Sequence, residues 1–304
     1  MASLDDKSAL DDLATVRDWL RYGVSRFTAA GLVYGHGTST ALDEAAFLIL
    51  KTLHLPIDAL EPWLEARLTR KEREQVAEIF EKRIATRKPA PYLVNEAWVQ
   101  GHSFYVDERV FVPRSYIGEL LEGGLSAVVA DREAVGRVLD LCTGSGCLAI
   151  LAALAFPKAR VDASDISDDA LAVAQRNVAD YGLEDRVRLM KSDLFPAVGA
   201  ARYDLIVSNP PYVGAAAMAA FPPEHRAEPH LAHAGGKDGL DIVRRILREA
   251  GRHLTPGGAL VVEIGTARSL IQAEFPRLPF LWLDTEESEG EVFALPASAL
   301  KDRS

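Results

Sequence analysis

The chain of 304 residues carries only two cysteines, Cys142 and Cys147, and none of its seven histidines stands at zinc-ligand spacing to them or to one another. That excludes a disulfide framework and a Cys/His metal centre, and a reducing cytoplasm is the expected compartment. No apolar run approaches the ~20 residues that span a bilayer, so no membrane role is expected. The opening Met1-Ala2-Ser3-Leu4-Asp5-Asp6-Lys7 lacks the basic-then-apolar layout of a secretory signal, which fits the same compartment. An excess of positive charge is also missing. The net charge of −10 argues against a broad phosphate-binding surface, because counterion release needs many clustered Lys and Arg. An acidic chain instead steers a basic protein partner towards itself.

One segment runs against that balance. Residues 67–88 hold Arg67, Arg70, Lys71, Arg73, Lys82, Arg83, Arg87 and Lys88 against four Glu. The plain reading is a solvated helix face with compensating pairs such as Glu78–Lys82. The competing reading is a contact with ribosomal RNA or an acidic patch on a partner.

What is present divides the chain. From about residue 4 to 88 the pattern is helical: Leu10, Leu13, Val16 and Leu20 recur at helical spacing, as do Leu42, Ala45, Ala46, Ile49 and Leu53 behind a cap at Thr40 or Asp43. Pro89 and Pro91 close that region. Alternation from Ala97 to Val112 reads as a hairpin, and Pro113 leads into a helix over Arg114 to Val129. Strands at Val138–Leu141, Val161–Ser164, Val187–Met190, Tyr203–Val207 and Ala259–Ile264 then alternate with helices, among them Leu240 to Leu254. Phe280–Leu283 and Val292–Leu295 form a closing pair. This predicts an α/β fold with a doubly wound, mostly parallel sheet and an antiparallel end. The expected organisation is a helical domain at 1–90, a β-hairpin linker at 91–113 and a doubly wound domain at 114–304.

Asp140-Leu141-Cys142-Thr143-Gly144-Ser145-Gly146 follows the first strand of that domain and opens a helix, the place where glycines let a backbone approach a ligand. Asp165 ends the second strand, where a carboxylate takes ribose hydroxyls. Asp193 follows the third, placed to accept from an adenine amino group. Gly144-Ser145-Gly146-Cys147-Leu148-Ala149 also matches the dinucleotide pattern G-x-G-x-x-A, so glycines and one acid do not separate NAD from S-adenosylmethionine. Asp193 and the fourth strand favour the latter. Cys142 reads as a small side chain packed under the loop rather than a reactive thiol.

The fourth strand runs into Asn209-Pro210-Pro211-Tyr212. A strand-ending turn would use the same residues. The chemical reading is a clamp for a planar, poorly nucleophilic NH2 group. The Asn side-chain oxygen and the Pro210 carbonyl accept its two N–H bonds, and proline's fixed φ aims that carbonyl. Tyr212 supplies a π face for the planar group and for a sulfonium cation.

With these residues in view, the chain resembles the class I S-adenosylmethionine-dependent methyltransferases, and within them the protein glutamine methyltransferases. The resemblance rests on the Gly loop, on Asn209-Pro210-Pro211-Tyr212, on Phe111-Val112-Pro113-Arg114-Ser115-Tyr116-Ile117-Gly118-Glu119-Leu120, and on Glu228-Pro229 through Gly236-Lys237-Asp238-Gly239-Leu240. It implies a seven-stranded Rossmann-like catalytic domain behind a helical substrate-recognition domain and a hairpin. It implies a cofactor site built from Asp140, Cys142, Thr143, Gly144, Gly146, Asp165, Ile166, Asp193, Leu194 and Asn209. The residues Pro113, Arg114, Glu119, Tyr212 and Glu228 would face the substrate.

Two branches of the family compete. One methylates the Gly-Gly-Gln glutamine of peptide-chain release factors, the other a glutamine of large-subunit ribosomal protein L-three, free or in an assembling particle. Cys142, Arg114-Ser115, Arg226-Ala227-Glu228-Pro229 and Asp43-Glu44-Ala45 resemble the ribosomal branch. The chain departs from the family pattern at Tyr116 and in the alanine-rich Ala215–Ala220 loop. A nucleic-acid amino-methyltransferase uses the same tetrapeptide on flipped bases, but would want a basic groove that this acidic chain does not offer.

Overall fold

The fold is described from a computed structural model covering residues 4–286 and 288–300. Two units emerge: one comprises the chain up to Ala97 together with Pro222–Ala227, the other Trp98–Phe221 with Glu228 onward.

The first unit is helical, with α1 (Leu4–Asp12), α2 (Val16–Ala29), α3 (Ala41–Thr52), α4 (Arg70–Thr86) and α5 (Ala90–Val94). The periodicity from Leu10 to Leu20 spans two helices rather than one. Thr15, in extended conformation, starts α2 through a capping box with Asp18. Thr40 caps α3 by accepting from the Asp43 N–H. Pro89 and Pro91 do not end the helical region, because Pro91 sits in the first turn of α5, where no N–H is needed.

Trp19, Phe27, Leu48, Ile49 and Phe80 fill the interior of this unit, with Phe27 and Phe80 edge to face at 5.0 Å. Inside that apolar shell lies a charge cluster. Arg83 donates to Glu44 at 2.6 Å, and Glu224 accepts from Arg87 at 2.9 Å and from the Val33 N–H at 3.1 Å, its carboxylate 3.7 Å from Arg83. Arg83, Glu44 and Glu224 are all buried.

The basic segment is therefore largely answered from within. Arg70 meets Glu74 and Asp11, Arg73 donates to the carbonyls of Leu10 and Leu13, and Lys82 pairs with Glu78. With Arg83 and Arg87 that makes at least five of the eight cations engaged inside the chain, which favours the compensated-face reading over a free positive surface.

At the start of the second unit stands the hairpin of β1 (Ala97–Val99), whose first residue still belongs to the first unit, and β2 (His102–Phe104), turned by Gln100 at φ 49° and Gly101 at φ 72°. Strand pairing stops at Phe104, short of the Val112 that alternation suggested. α6 covers only Tyr116–Glu122, because Gly123, Gly124 and a left-handed Leu125 (φ 51°) break it well before Val129. Then follow β3 (Arg137–Leu141), α7 (Cys147–Ala155), β4 (Arg160–Asp165), α8 (Asp168–Asp180), β5 (Val187–Lys191), β6 (Tyr203–Ser208), α9 (Ala215–Ala219), α10 (Asp241–Glu249), β7 (Leu254–Glu263), α11 (Arg268–Glu274), β8 (Leu281–Leu283), β9 (Val292–Pro296) and α12 (Ala297–Leu300). The alanine-rich stretch taken for a loop is the helix α9, in keeping with alanine's propensity. The helix expected to reach Leu254 ends at Glu249, and β7 starts earlier than Ala259.

The seven strands order as β5-β4-β3-β6-β7-β9-β8, with β9 antiparallel to both neighbours and the other pairs parallel. This is the doubly wound sheet, with apolar layers on both faces: Ile117, Leu121 and α7 on one, Leu240, Val243, Ile246 and Leu247 on the other. Replacing Arg83 by Leu would leave Glu44 and Glu224 buried with less compensation. Loss of a partner from a buried pair costs about 3–5 kcal/mol, so Arg83→Leu is expected to lower stability to chemical denaturation by that order. A loss too small to resolve would contradict the role given to this cluster.

Candidate active site

Register decides where the site lies. Leu141 on β3 is level with Ser164 on β4 and Ser208 on β6, and Ser208 is level with Val262 on β7. One residue further along each strand therefore stand Cys142, Asp165, Asn209 and Glu263, in a row on the carboxyl edge of the sheet. Open α/β sheets bind ligands at that edge.

The Gly loop is held as a rigid turn. Thr143 N–H donates to the Ser164 carbonyl at 3.0 Å, and Gly146 N–H to the Thr143 carbonyl at 2.9 Å. Buried Asn177 on α8 donates to the Ser145 carbonyl at 2.8 Å and to the Tyr105 carbonyl at 3.0 Å, a clamp that sequence reading missed. Cys142 adopts φ 60°, a left-handed conformation that only glycine takes without cost. Burial pushes its thiol well up from the ordinary range, so it is not a ready nucleophile.

Four features fit this edge to a nucleoside with a charged tail. A Cβ on Gly144 would meet nothing within 4 Å, so there is open room above the loop. Asp165 accepts from Gly144 N–H and Ser167 N–H, each at 2.9 Å, which fixes its carboxylate beside that room with lone pairs to share. Asp140 is fully buried. Thr143 Oγ1 donates to its Oδ2 at 2.5 Å, while Oδ1 has no hydrogen-bond partner among the described residues. Ile166 keeps 48% of its surface exposed, as an apolar wall awaiting a planar ring would. Leu194 is buried at φ 67°, and Asp193 is held by Arg245 at 2.9 Å.

The tetrapeptide follows Ser208, whose hydroxyl donates to the Leu141 carbonyl at 2.8 Å and ties β6 to the start of the Gly loop. Behind Tyr212 runs the loop carrying Gly235 to Leu240. Val213 N–H donates to the His233 carbonyl and Gly235 N–H to the Val213 carbonyl, at 2.9 and 3.0 Å. Gly239 passes so close that a Cβ would sit 2.2 Å from the Tyr212 carbonyl oxygen, which explains the glycine in Lys237-Asp238-Gly239. The Tyr212 hydroxyl donates to Glu263 at 3.0 Å.

The residues expected to face substrate are brought together differently. Arg114 forms a two-pronged pair with Glu228, at 2.7 and 2.9 Å, and stacks 3.7 Å over Phe111. Glu228 also accepts from Val112 N–H, and His233 lies 3.1 Å away, flanked edge-on by Phe111 and Phe221. The Pro113-Arg114 and Glu228-Pro229 motifs are thus two halves of one lock. Glu119 accepts from the Glu286 N–H at 2.8 Å and tethers the segment after β8. Glu263 is a further polar residue of this edge. Its signal in the sequence is its place at the end of the apolar run Leu260-Val261-Val262, where strand-end polar residues meet ligands.

Comparison with known proteins is consistent across nearly the whole chain. Residues 125–221 match the family model described as methyltransferase small domain. The chain is 56% identical over 295 residues to the ribosomal protein uL3 glutamine methyltransferase of Bradyrhizobium diazoefficiens, covering 95% of this chain and 92% of that one. It is 56% identical to the protein of that name from Burkholderia pseudomallei (94% and 95% covered), and 52% to that from Neisseria meningitidis (96% and 96%). Among solved structures, the hMettl16 catalytic domain in complex with a 3′UTR hairpin aligns over 86% of this chain and 93% of that one, with TM-score 0.52 and 15% identity, a likeness of fold alone.

Burial pushes the Asp140 carboxyl up to about 7; the Thr143 hydroxyl opposes this and nearby Asp165 adds to it. An unfolded aspartate titrates near ~3.9, so the fold favours the neutral form. This contribution is complete below about pH 4 and is lost as the pH rises to about 7. In the cofactor-free protein, Asp140→Asn is expected to make the fall in stability between pH 4.5 and 7 shallower, by up to about 1.4 kcal/mol per pH unit. An unchanged slope in denaturation curves across that range would contradict this.

Proposed function

The chain belongs to the family of ribosomal protein uL3 glutamine methyltransferases, and from that premise we propose that it methylates the side-chain amide nitrogen of a glutamine in uL3, the L-three protein of the large ribosomal subunit. The methyl donor is S-adenosylmethionine, which when bound supplies an electrophilic methyl group on a sulfonium. Asp140, Cys142, Thr143, Gly144, Gly146, Asp165, Ile166, Asp193, Leu194 and Asn209 would hold it along the sheet edge.

The observation that carries this reading is the register that sets Asn209 beside the Gly loop, with Ser208 bonded to Leu141 between them. An amide nitrogen shares its lone pair with its carbonyl and is a weak nucleophile. Asn209 Oδ1 and the Pro210 carbonyl accept its two N–H bonds and turn the nitrogen towards the donor, while Pro211 stiffens the turn and Tyr212 stacks on the amide plane. The bound donor would supply the methyl group to this nitrogen and would leave as the neutral thioether. The nitrogen then releases one proton to water, since methylation makes it more acidic. Orientation of this kind accounts for as much as ~7–11 kcal/mol of barrier in favourable cases.

The partner fits by charge, a basic ribosomal protein meeting a chain of net charge −10. The helical segment 1–90 is the substrate-recognition element of this reading, the hairpin segment 91–113 its link to the catalytic domain at 114–304, and Pro113, Arg114, Glu119 and Glu228 shape the substrate side. A contact with ribosomal RNA through 67–88 draws little support, because at least five of its cations are engaged within the chain. Cytoplasmic action accords with two free cysteines, and among the described residues no helix is long and apolar enough to cross a membrane.

Asn209→Ala is expected to reduce uL3 methylation by about a thousandfold or more, as loss of an orienting acceptor does, with cofactor affinity changed only a few-fold. Scintillation counting of methyl transfer, alongside calorimetric titration of S-adenosylmethionine, reads both. Near-parental turnover in the variant would overturn the assignment.

A further inference from the structure

The end of β7 holds a carboxylate that the transfer step as described leaves without a role. Glu263 is fully buried, and its two oxygens are claimed by three donors. Oε1 accepts the Tyr212 hydroxyl at 3.0 Å, and Oε2 accepts Ser115 Oγ at 2.6 Å and the Tyr116 N–H at 3.0 Å. The charged groups facing this pair are Arg114, which acts on Tyr212, and Glu291, which acts on both residues.

Tyr212 is fixed at its other end as well. Its main chain is clasped by the loop at Gly239, and its ring edge rests on Gly265, where a Cβ would come within 2.9 Å of Cε2. A ring held at the hydroxyl, along one edge and at the backbone has a single plane open to it. Burial pushes the Glu263 carboxyl up to about 7 in spite of its three donors, of which Ser115 contributes most. A site that keeps so costly a group buried has assembled the donors to match it.

We propose that Glu263 is a positioning residue for methyl transfer: by accepting the Tyr212 hydroxyl it fixes the ring plane on which the glutamine amide stacks. The inference rests on the reading of Tyr212 given above. The simpler alternative is that Glu263 only anchors the start of α6 through Ser115 and Tyr116. The two differ in what happens when the Tyr212 hydroxyl is absent.

The test is a double-mutant cycle with Glu263→Gln and Tyr212→Phe on uL3 as substrate. Each single variant is expected to lower kcat by about tenfold to a hundredfold, Tyr212→Phe by losing the hydrogen bond and Glu263→Gln by replacing its carboxylate acceptor with an amide whose NH2 cannot accept from Ser115 and Tyr116. KM and the S-adenosylmethionine Kd should stay within about threefold, since ground-state binding is not what is removed. The double variant should be no slower than the worse single variant. Effects that multiply would assign Glu263 to anchoring alone and overturn the inference.

A second arm needs no substrate. With tyrosine ring carbons labelled for NMR, the Tyr212 signal in Glu263→Gln is expected to shift and broaden relative to the parent, and an unchanged signal would also overturn the inference. If the parent enzyme leaves uL3 unmethylated, the substrate reading fails, and the NMR arm still decides the role of Glu263.

Discussion

The constraint on which the rest of this molecule depends is the shared register of β3, β4, β6 and β7. Parallel strands all end on the same edge, so residues far apart in sequence arrive in one row without any having to reach for another. Asp165, Cys142, Asn209 and Glu263 occupy successive places in that row. A slip of one residue in β6 would turn its buried side chains to the opposite face and carry Asn209 away from the Gly loop. Both faces of the sheet are covered by packed apolar layers, so such a slip would force both layers to repack. The geometry of the reaction is in that sense stored in the hydrophobic core.

On this frame the polar residues divide between those left open and those held by the chain itself. The space over Gly144 and the exposed face of Ile166 are open and suit a ligand with a planar ring, while Asp140 Oδ1 is buried with no hydrogen-bond partner among the described residues. Arg114, Glu228 and Glu119 are held, and so is Tyr212. Holding costs rotamer freedom before substrate arrives rather than when it binds, which is how preorganisation lowers a barrier. The motifs that mark this family are accordingly of two kinds. Gly144, Asp165 and Asn209 line the carboxyl edge of the sheet, whereas Pro113-Arg114, Glu228-Pro229 and Lys237-Asp238-Gly239 are held against other parts of the chain.

Much of this was legible in the sequence. Strand and helix alternate with clear periods after residue 137, and the Gly loop, Asp165, Asp193 and the tetrapeptide each follow a strand, so the fold and the candidate edge of the sheet could be read from pattern alone. The misses have physical causes. The helix after Pro113 was overextended because apolar spacing continues past Gly123-Gly124, where the backbone turns left-handed at Leu125. The Ala215–Ala219 helix was missed because proline and glycine on its flanks signal a loop. The pairing of Arg114 with Glu228 joins positions 114 residues apart, and no local pattern announces such a contact. The inclusion of Pro222–Ala227 with the helical unit, through Glu224, is a long-range ion pair of the same kind.

The central claim is that this edge delivers a methyl group to a glutamine amide of uL3. Its most direct test is mass spectrometry of purified uL3 and of a peptide-chain release factor, each incubated with the enzyme and methyl-labelled S-adenosylmethionine. The account predicts a single added methyl on a glutamine of uL3 and none on the release factor. A methyl on the release factor alone, or on neither protein, would contradict it.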